Sequence, residues 1–173
     1  PLGSSAASDV YKRQLLTWPD PRLKQEAQPV EKINNNIEKI WLDLTDTMEA
    51  LSCVGLACNQ LGIMRRLVVV DASTSRGQFV LMANPEILQV SKEMNEHVEA
   101  SPNLPGVSAA IKRPKKVTVK YLGKDGIIVR SDFEGLWATS VQHQIDHLNG
   151  IMYFDRLSSL KRDMLIRRAK KIK

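Results

Sequence analysis

The stretch Gln142-His143-Gln144-Ile145-Asp146-His147-Leu148-Asn149-Gly150 combines the end of a helix with two residues that commonly bind metals. Asn149-Gly150 is a typical helix stop, so we predict a helix over residues 135–148. Residues four apart lie on one face of a helix, and His143 and His147 can therefore bind a single metal ion. The stretch predicts a helix that carries a metal site.

The residue between these histidines that would supply a base is altered. A hydrolytic metal site on such a helix usually has a glutamate directly after the first histidine, where it accepts and returns protons. This chain has Gln144 at that position. A glutamine amide has nearly the shape of glutamate, but it cannot act as a base near pH 7. The same substitution argues against a metalloprotease of the His-Glu-x-x-His kind.

Outward from this helix, the chain alternates helical and strand-like patterns. Apolar residues recur at spacings of three and four over residues 30–50, which predicts an amphipathic helix. Residues 53–62 are mostly small and are predicted to form a loop. Short apolar or β-branched runs predict strands over 67–71, 79–83, 86–90, 93–98, 116–122 and 127–131. A last helix is predicted over 158–171. The fold class is therefore α+β, with mostly antiparallel strands around the central metal-site helix.

Length and composition are those of one globular domain. The chain has 173 residues, of which 43% are hydrophobic and 25% are charged. We expect residues 1–14 to be a tag remnant or an unstructured leader and residues 15–173 to form a single domain. No run of about 18 apolar residues is present, which argues against a membrane span. Cys53 and Cys58 do not make a disulfide framework, which favours reduced thiols in a cytosolic setting.

The net charge of +6 is concentrated at the C-terminal end. Asp163 is the single acid after residue 155. The basic residues of this segment are Arg156, Lys161, Arg162, Arg167, Arg168, Lys170, Lys171 and Lys173. A basic helix can follow the phosphates of a nucleic acid, and it can equally be a solvated helix face.

Several separate motifs resemble those of peptide deformylases in their order and spacing. They are LLTWPDPRL (15–23), VGLACNQ (54–60), LMANP (81–85), QHQIDHLNG (142–150) and FDRLS (154–158), followed by Lys161-Arg162. The resemblance covers the chain from about residue 15 to its end. It implies an α+β fold around Fe²⁺, or Zn²⁺ or Ni²⁺ in its place. The implied reaction is hydrolysis of the N-formyl group from the N-terminal methionine of new polypeptides.

The resemblance also implies partners and a location. The partners are N-formylmethionyl peptides or nascent chains, and the ribosome through the basic C-terminal helix. No membrane is expected among them. The location is the cytoplasm of a bacterium or phage-infected cell, or the matrix of an organelle.

The first family motif assigns roles to residues 53–60. Gln60 matches a glutamine whose side chain helps to bind the oxyanion, and Gly55 matches a glycine that binds substrate. Val54 and Leu56 flank that glycine and are assigned to substrate binding with it. Cys53 stands where glycine is usual, so it either crowds the methionine pocket or is simply a small buried residue.

The second family motif is altered at two positions that matter for catalysis. Ser101 stands at the position of the metal-binding cysteine, and a hydroxyl that stays protonated is a poor ligand. Pro102 stands where a backbone N–H is donated to the oxyanion, and proline has none. The resemblance therefore assigns the metal to His143, His147 and, weakly, Ser101. His97, Cys58 or a water molecule are alternatives for the third ligand, and the metal would be weakly bound or absent in the last case.

Two functional hypotheses follow. In the first, the chain carries out the deformylase reaction, impaired by the loss of a ligand at Ser101, an oxyanion donor at Pro102 and a base at Gln144. In the second, it is a non-catalytic relative that binds nascent-chain N-termini or the ribosome.

Overall fold

The computed structural model describes residues 14–172, and within that range the strands form two antiparallel sheets. The strands are β1 Gly55–Ala57, β2 Leu67–Val70, β3 Val80–Val90, β4 Met94–Glu99, β5 Ala109–Pro114, β6 Lys116–Leu122 and β7 Ile128–Glu134. The larger sheet has the order β1-β2-β3-β6-β7, and β4 pairs with β5 alone. The leader predicted before residue 15 lies, except for Gln14, outside the described residues and stays a prediction.

Three α-helices of the described chain accompany the sheets: α1 Asn35–Ala50, α2 Leu136–Leu148 and α3 Ser159–Lys171. The central helix α2 and the C-terminal helix α3 match their predicted bounds to within one residue. None of the helices within residues 14–172 combines the length and apolar character that crossing a membrane requires.

Helix α1 begins later than the predicted residue 30. The side chain of Asn34 accepts a hydrogen bond from the backbone N–H of Ile37 at 3.0 Å, which caps the helix. Val30 is held outside the helix because the amide of Asn84 bonds both its N–H, at 2.8 Å, and its carbonyl, at 2.7 Å. The apolar pattern from residue 30 onward thus includes a buried extended residue that is not helical.

The cap of α1 gives a direct test of this boundary. We expect Asn34→Ala to lower the free energy of unfolding by about 1 kcal/mol, because the helix loses its N-terminal hydrogen-bond acceptor. Asn36→Ala, two residues further on an exposed position of the same helix, serves as the matched control. Denaturant unfolding measures both, and an equal effect of the two changes would contradict the role of Asn34 as the cap.

Helices α1 and α2 pack on opposite faces of the larger sheet. Strand β2 is buried along its whole length, so its alternate side chains face the two helices. On one face, Leu67 and Val69 pack with the core side of α1. On the other face, Val68 and Val70 pack with the core side of α2. The central helix is therefore fixed against the sheet by a continuous apolar layer.

A third apolar cluster joins the N-terminal segment to the C-terminal helix. Its buried members are Leu16, Trp18, Leu23, Leu104, Ile111, Met152, Tyr153, Phe154, Leu165 and Ala169. Two backbone bonds extend this cluster toward the candidate site: Leu16 N–H donates to the Gln60 carbonyl at 2.9 Å, and Trp18 N–H to the Asn103 carbonyl at 2.8 Å. Residues 16–18 thereby hold the two loops that carry Gln60 and Asn103.

The sequence patterns missed or misjudged three strands. Strand β1 lies inside the predicted loop 53–62, because its residues Gly55–Ala57 are small and show no alternation. Strand β5 was not predicted at all. The predicted strands 79–83 and 86–90 form one strand, β3. Asn84, within this strand, has a φ of 50°, and the pairing of β3 with β6 is irregular around this residue.

Candidate active site

A cavity of about 400 Å³ lies between β1, the segment that follows β4, and α2. Most of the predicted site residues line it: Cys53, Val54, Gly55, Gln60, Ser101, Pro102, His143 and Gln144. Leu56 does not, because alternate residues of β1 face opposite ways and its side chain is buried against α1. His147 is buried beside the cavity, next to His143.

Helix α2 brings the two histidines together as the spacing predicts. The Nε2 atoms of His143 and His147 are 3.1 Å apart. On its other side, His143 Nδ1–H donates to Glu99 Oε1 at 2.7 Å. This bond places a proton of His143 on Nδ1 and turns its Nε2 toward the partner histidine, which is the orientation that a metal-binding imidazole adopts.

Glu99 belongs to a buried chain of ion pairs that sequence reasoning missed. Arg113 on β5 donates to both oxygens of Glu99, at 2.7 and 2.9 Å, and to Asp146 on α2 at 2.8 Å. Arg156 pairs with the same Asp146 at 2.6 Å. Glu99 lies two residues before Ser101 in the sequence, whereas nothing marked Arg113 because its strand was not predicted.

The ion pairs decide the charge of Glu99. Burial pushes the pKa of this carboxyl upward, but hydrogen bonds from His143 and Arg113 outweigh burial and hold the pKa below its ordinary value. Burial pulls the pKa of Arg113 down, while Glu99 and Asp146 raise it by more, so the net pKa is raised. Glu99 is therefore an ionised carboxylate at neutral pH, which fixes the orientation of His143.

His147 is neutral at physiological pH. Burial lowers the pKa of its imidazole well below the ordinary value, and the neighbouring His143 and Arg113 lower it further. Neutral imidazole is the form that binds metals. Its Nδ1 has no hydrogen-bond partner among the described residues.

Ser101, which the family resemblance assigns to the third ligand, has a hydroxyl that is already hydrogen-bonded. Ser101 Oγ–H donates to Asn103 Oδ1 at 3.0 Å, and the same oxygen accepts from Asn103 N–H at 3.3 Å. The hydroxyl keeps its proton in this arrangement and offers no anionic ligand.

Neither alternative ligand joins the histidine pair. His97 Nδ1 is 2.8 Å from Thr139 Oγ1, which it bonds instead. Cys58 is buried in the apolar cluster under α1, where burial raises the pKa of its thiol. No group of three His, Cys, Asp or Glu side chains within residues 14–172 could hold a metal ion. Two imidazoles without a third charged ligand do not fit a hydrolytic metal site built on three protein ligands.

The residue in place of the base lies where β1 approaches α2 most closely. A Cβ at Gly55 would be 2.8 Å from Gln144 Nε2 and from Ser140 Oγ, so a larger residue here would require these side chains to move. Gln144 is buried, and its Oε1 has no partner among the described residues. The side chain thus faces the cavity beside His143 but carries no titratable group.

Gln60 and Cys53 occupy the other walls of the cavity. Gln60 Oε1 accepts from Ala57 N–H at 2.9 Å, and its Nε2 donates to Asn103 Oδ1 at 2.7 Å. Cys53 is half-buried, its Sγ lies 3.6 Å from the Leu51 carbonyl, and burial raises the pKa of the thiol. Cys53 therefore lines the cavity as a small side chain with a protonated thiol.

Comparison with known proteins identifies the family. The sequence profile described as "Polypeptide deformylase" matches residues 12–163. The chain is 40% identical to the peptide deformylase of Bartonella henselae over 161 residues, which cover 92% of each protein. The structure of the Ehrlichia chaffeensis peptide deformylase in complex with actinonin superposes with a TM-score of 0.85 at 33% identity, covering 92% of this chain and 96% of that one.

A further solved relative contains a bound peptide. The Met-Ala-Ser-bound class I type b peptide deformylase of Acinetobacter baumannii has a TM-score of 0.78 at 32% identity, and covers 83% of this chain and 96% of its own. These similarities confirm the predicted α+β fold and the resemblance on which the site residues were assigned. The chain belongs to the peptide deformylase family.

Proposed function

We propose that this chain receives N-formylmethionyl N-termini in its cavity and hydrolyses the formyl group at a strongly reduced rate. The observation that carries the proposal is the hydroxyl of Ser101, which is hydrogen-bonded to Asn103 at the position of the family's metal ligand. The family reaction depends on a metal, and the residues that remain offer two imidazoles for it.

The expected impairment is large because three parts of one mechanism are altered. A missing general base lowers a rate by roughly 10²–10⁴-fold. A missing oxyanion donor, as at Pro102, lowers it by roughly 10²–10³-fold. These factors do not multiply, since groups that act as a unit are not additive. Either factor alone reduces this chain to a slow catalyst.

Binding of a methionyl peptide in the cavity is supported by observations that do not depend on catalysis. The cavity is lined by apolar side chains suited to a methionine, among them Leu51, Val54, Val98 and Leu136. Relatives of the same fold have been solved with Met-Ala-Ser and with actinonin. We propose that the same cavity takes the first residues of a nascent chain in the cytoplasm.

Formate release tests the catalytic part of the proposal. Turnover of formyl-Met-Ala-Ser is measured for this chain and for the Bartonella henselae relative side by side, with metal content determined on the same samples. We expect less than one metal ion per chain and a rate at least about 10²-fold below that of the relative. A comparable rate with stoichiometric metal would overturn the proposed impairment.

A second candidate function is binding to ribosomal RNA as a non-catalytic protein. Helix α3 buries Leu165 and Ala169 and leaves its basic side chains outside. Among the described basic residues of the C-terminal segment, Arg156 and Arg162 pair with carboxylates. Those that remain exposed without an ion pair are Lys161, Arg167, Arg168, Lys170 and Lys171. This surface charge favours a polyanionic partner.

Charge reversal on α3 tests this candidate without exposing its apolar side. The variant Arg167→Glu/Lys170→Glu/Lys171→Glu is expected to weaken binding to bacterial ribosomes by at least about tenfold and to reduce its dependence on salt. The control carries the same change of net charge on exposed lysines of β5, of β6 and of the turn after β6, as Lys112→Glu/Lys120→Glu/Lys124→Glu. Equal weakening by both variants, measured by co-sedimentation, would contradict a specific role of α3.

A further inference from the structure

Asn103 is fully buried between the cavity and the N-terminal segment, and both ends of its side chain are hydrogen-bonded. Its Oδ1 accepts from Gln60 Nε2 at 2.7 Å and from Ser101 Oγ at 3.0 Å. Its Nδ2 donates to the carbonyls of Leu16 at 2.6 Å and Gln60 at 3.2 Å. A side chain tied at both ends in this way holds a single orientation.

The surrounding backbone determines which end of each amide is nitrogen. Two carbonyl oxygens, from Leu16 and Gln60, can accept only from the Nδ2 of Asn103, so Oδ1 must face Gln60 and Ser101. Ala57 N–H can donate only to an oxygen, so Gln60 must direct Oε1 toward it. The Nε2 of Gln60 consequently faces Asn103, and two independent arguments agree on this arrangement.

This arrangement leaves one donor of Gln60 unused. Its Nε2 carries two hydrogens, and a single partner, Asn103 Oδ1, is found for them among the described residues. Gln60 lines the cavity, and the neighbouring Pro102 has no N–H to contribute. A formyl oxygen is an acceptor that suits such a donor.

We propose that Asn103 is a positioning residue that orients the Gln60 amide so that its second N–H binds the formyl oxygen of an N-formylmethionyl peptide. The proposal rests on the peptide binding proposed above and not on turnover. Asn103 itself does not touch the substrate; it acts through Gln60. Residues 16–18 support it from behind, since Trp18 N–H donates to its backbone carbonyl at 2.8 Å.

The preference for formylated over unformylated peptide tests the proposal. Dissociation constants of formyl-Met-Ala-Ser and Met-Ala-Ser are measured by calorimetry on the full chain after treatment with a chelator. Losing one hydrogen bond changes affinity by about 3- to 10-fold. We expect Asn103→Ala and Gln60→Ala each to reduce the preference by about this factor, and the double variant to reduce it no further.

An unchanged preference for the formylated peptide in Asn103→Ala would overturn the proposal. A merely structural Asn103 would weaken both peptides alike and leave their ratio unchanged. Asn84→Ala is the matched control, because Asn84 also bridges a distant backbone segment through two hydrogen bonds but lies away from the cavity. The preference of Asn84→Ala for the formylated peptide should equal that of the native chain. If the native chain itself showed no preference for the formylated peptide, the proposal would also be refuted.

A measurement on the unaltered chain removes any dependence on variants that fail to fold. The side-chain amide resonances of Gln60 are followed by ¹⁵N NMR during titration with each peptide. Formyl-Met-Ala-Ser is expected to shift them and Met-Ala-Ser to leave them nearly unchanged. Because no metal or turnover is involved, failure here is distinct from a fast rate of formate release, which would contradict only the proposed impairment.

Discussion

Changing Ser101→Cys, Pro102→Leu and Gln144→Glu together is expected to raise the rate of formate release by about 10²–10⁴-fold and to bring about one metal ion per chain. A cysteine at 101 offers a thiolate in the cavity that His143 also lines, and it would add a third ligand to the histidine pair. Leucine at 102 returns a backbone N–H to the cavity wall. Glutamate at 144 returns a group that exchanges protons next to His143.

The single variants separate these contributions. Ser101→Cys alone should bind metal without a matching gain in rate, because the base is still absent. Gln144→Glu alone should gain little, since no third ligand fixes the metal. Metal analysis and formate release on the same preparations measure both effects. A triple variant that folds but stays inactive and metal-free would mean that the cavity has diverged beyond these three positions.

Replacing Arg113 by methionine is expected to lower the free energy of unfolding by about 3–5 kcal/mol. The guanidinium is 2% exposed and pairs with two buried carboxylates, on Glu99 and Asp146. Methionine fills a similar volume but removes the guanidinium from both carboxylates, so that Glu99 keeps the bond from His143 and Asp146 keeps the pair with Arg156. Loss of a buried counter-charge is strongly unfavourable. Urea unfolding followed by circular dichroism measures the change.

Lys115→Met is the matched control for this variant. Lys115 lies two residues further along the chain and pairs with Glu93 at 3.3 Å on the surface, where such pairs contribute about 0–1 kcal/mol. A loss in Arg113→Met no larger than in Lys115→Met would refute the importance of the buried pairs.

The stability difference between Arg113→Met and the native chain should depend on pH. The folded-state pKa of Glu99 is lowered from 4.5, so its pairing stabilises the fold above that pH and is lost as pH falls through the lower folded value. The free energies of unfolding of Arg113→Met and of the native chain should therefore become more similar as the pH falls. A difference that stays constant below this range would place the effect of Arg113 elsewhere.

Local sequence patterns predicted the helices and the histidine pair because both depend on residues a few positions apart. The apolar periodicity predicted the buried face of α1, and the spacing of His143 and His147 predicted that their rings lie side by side, as they do. Strand β5 was not predicted because its residues alternate weakly, and its pairing with β4 is visible only in the folded chain. The bond between Gln60 and Asn103 joins residues 43 positions apart, a contact that no local pattern reports.

The family resemblance supplied what local patterns could not, namely which altered residues meet in one site. It placed Ser101 and Gln144 at the same cavity, where both are found. It did not reveal that Asn103 ties the Ser101 hydroxyl and the Gln60 amide together. The geometry of that contact depends on the backbone of residues 16–18.

The bond between His143 and Glu99 bears on how genomes are searched for deformylases. Replacing His143 would leave a buried carboxylate short of one donor, so the histidine has a role in folding that is independent of any reaction. A chain can then keep this histidine for its stability after hydrolysis has lost its importance. The histidine motif alone is therefore weak evidence for deformylase activity, and the residues at positions 101, 102 and 144 should be read together with it.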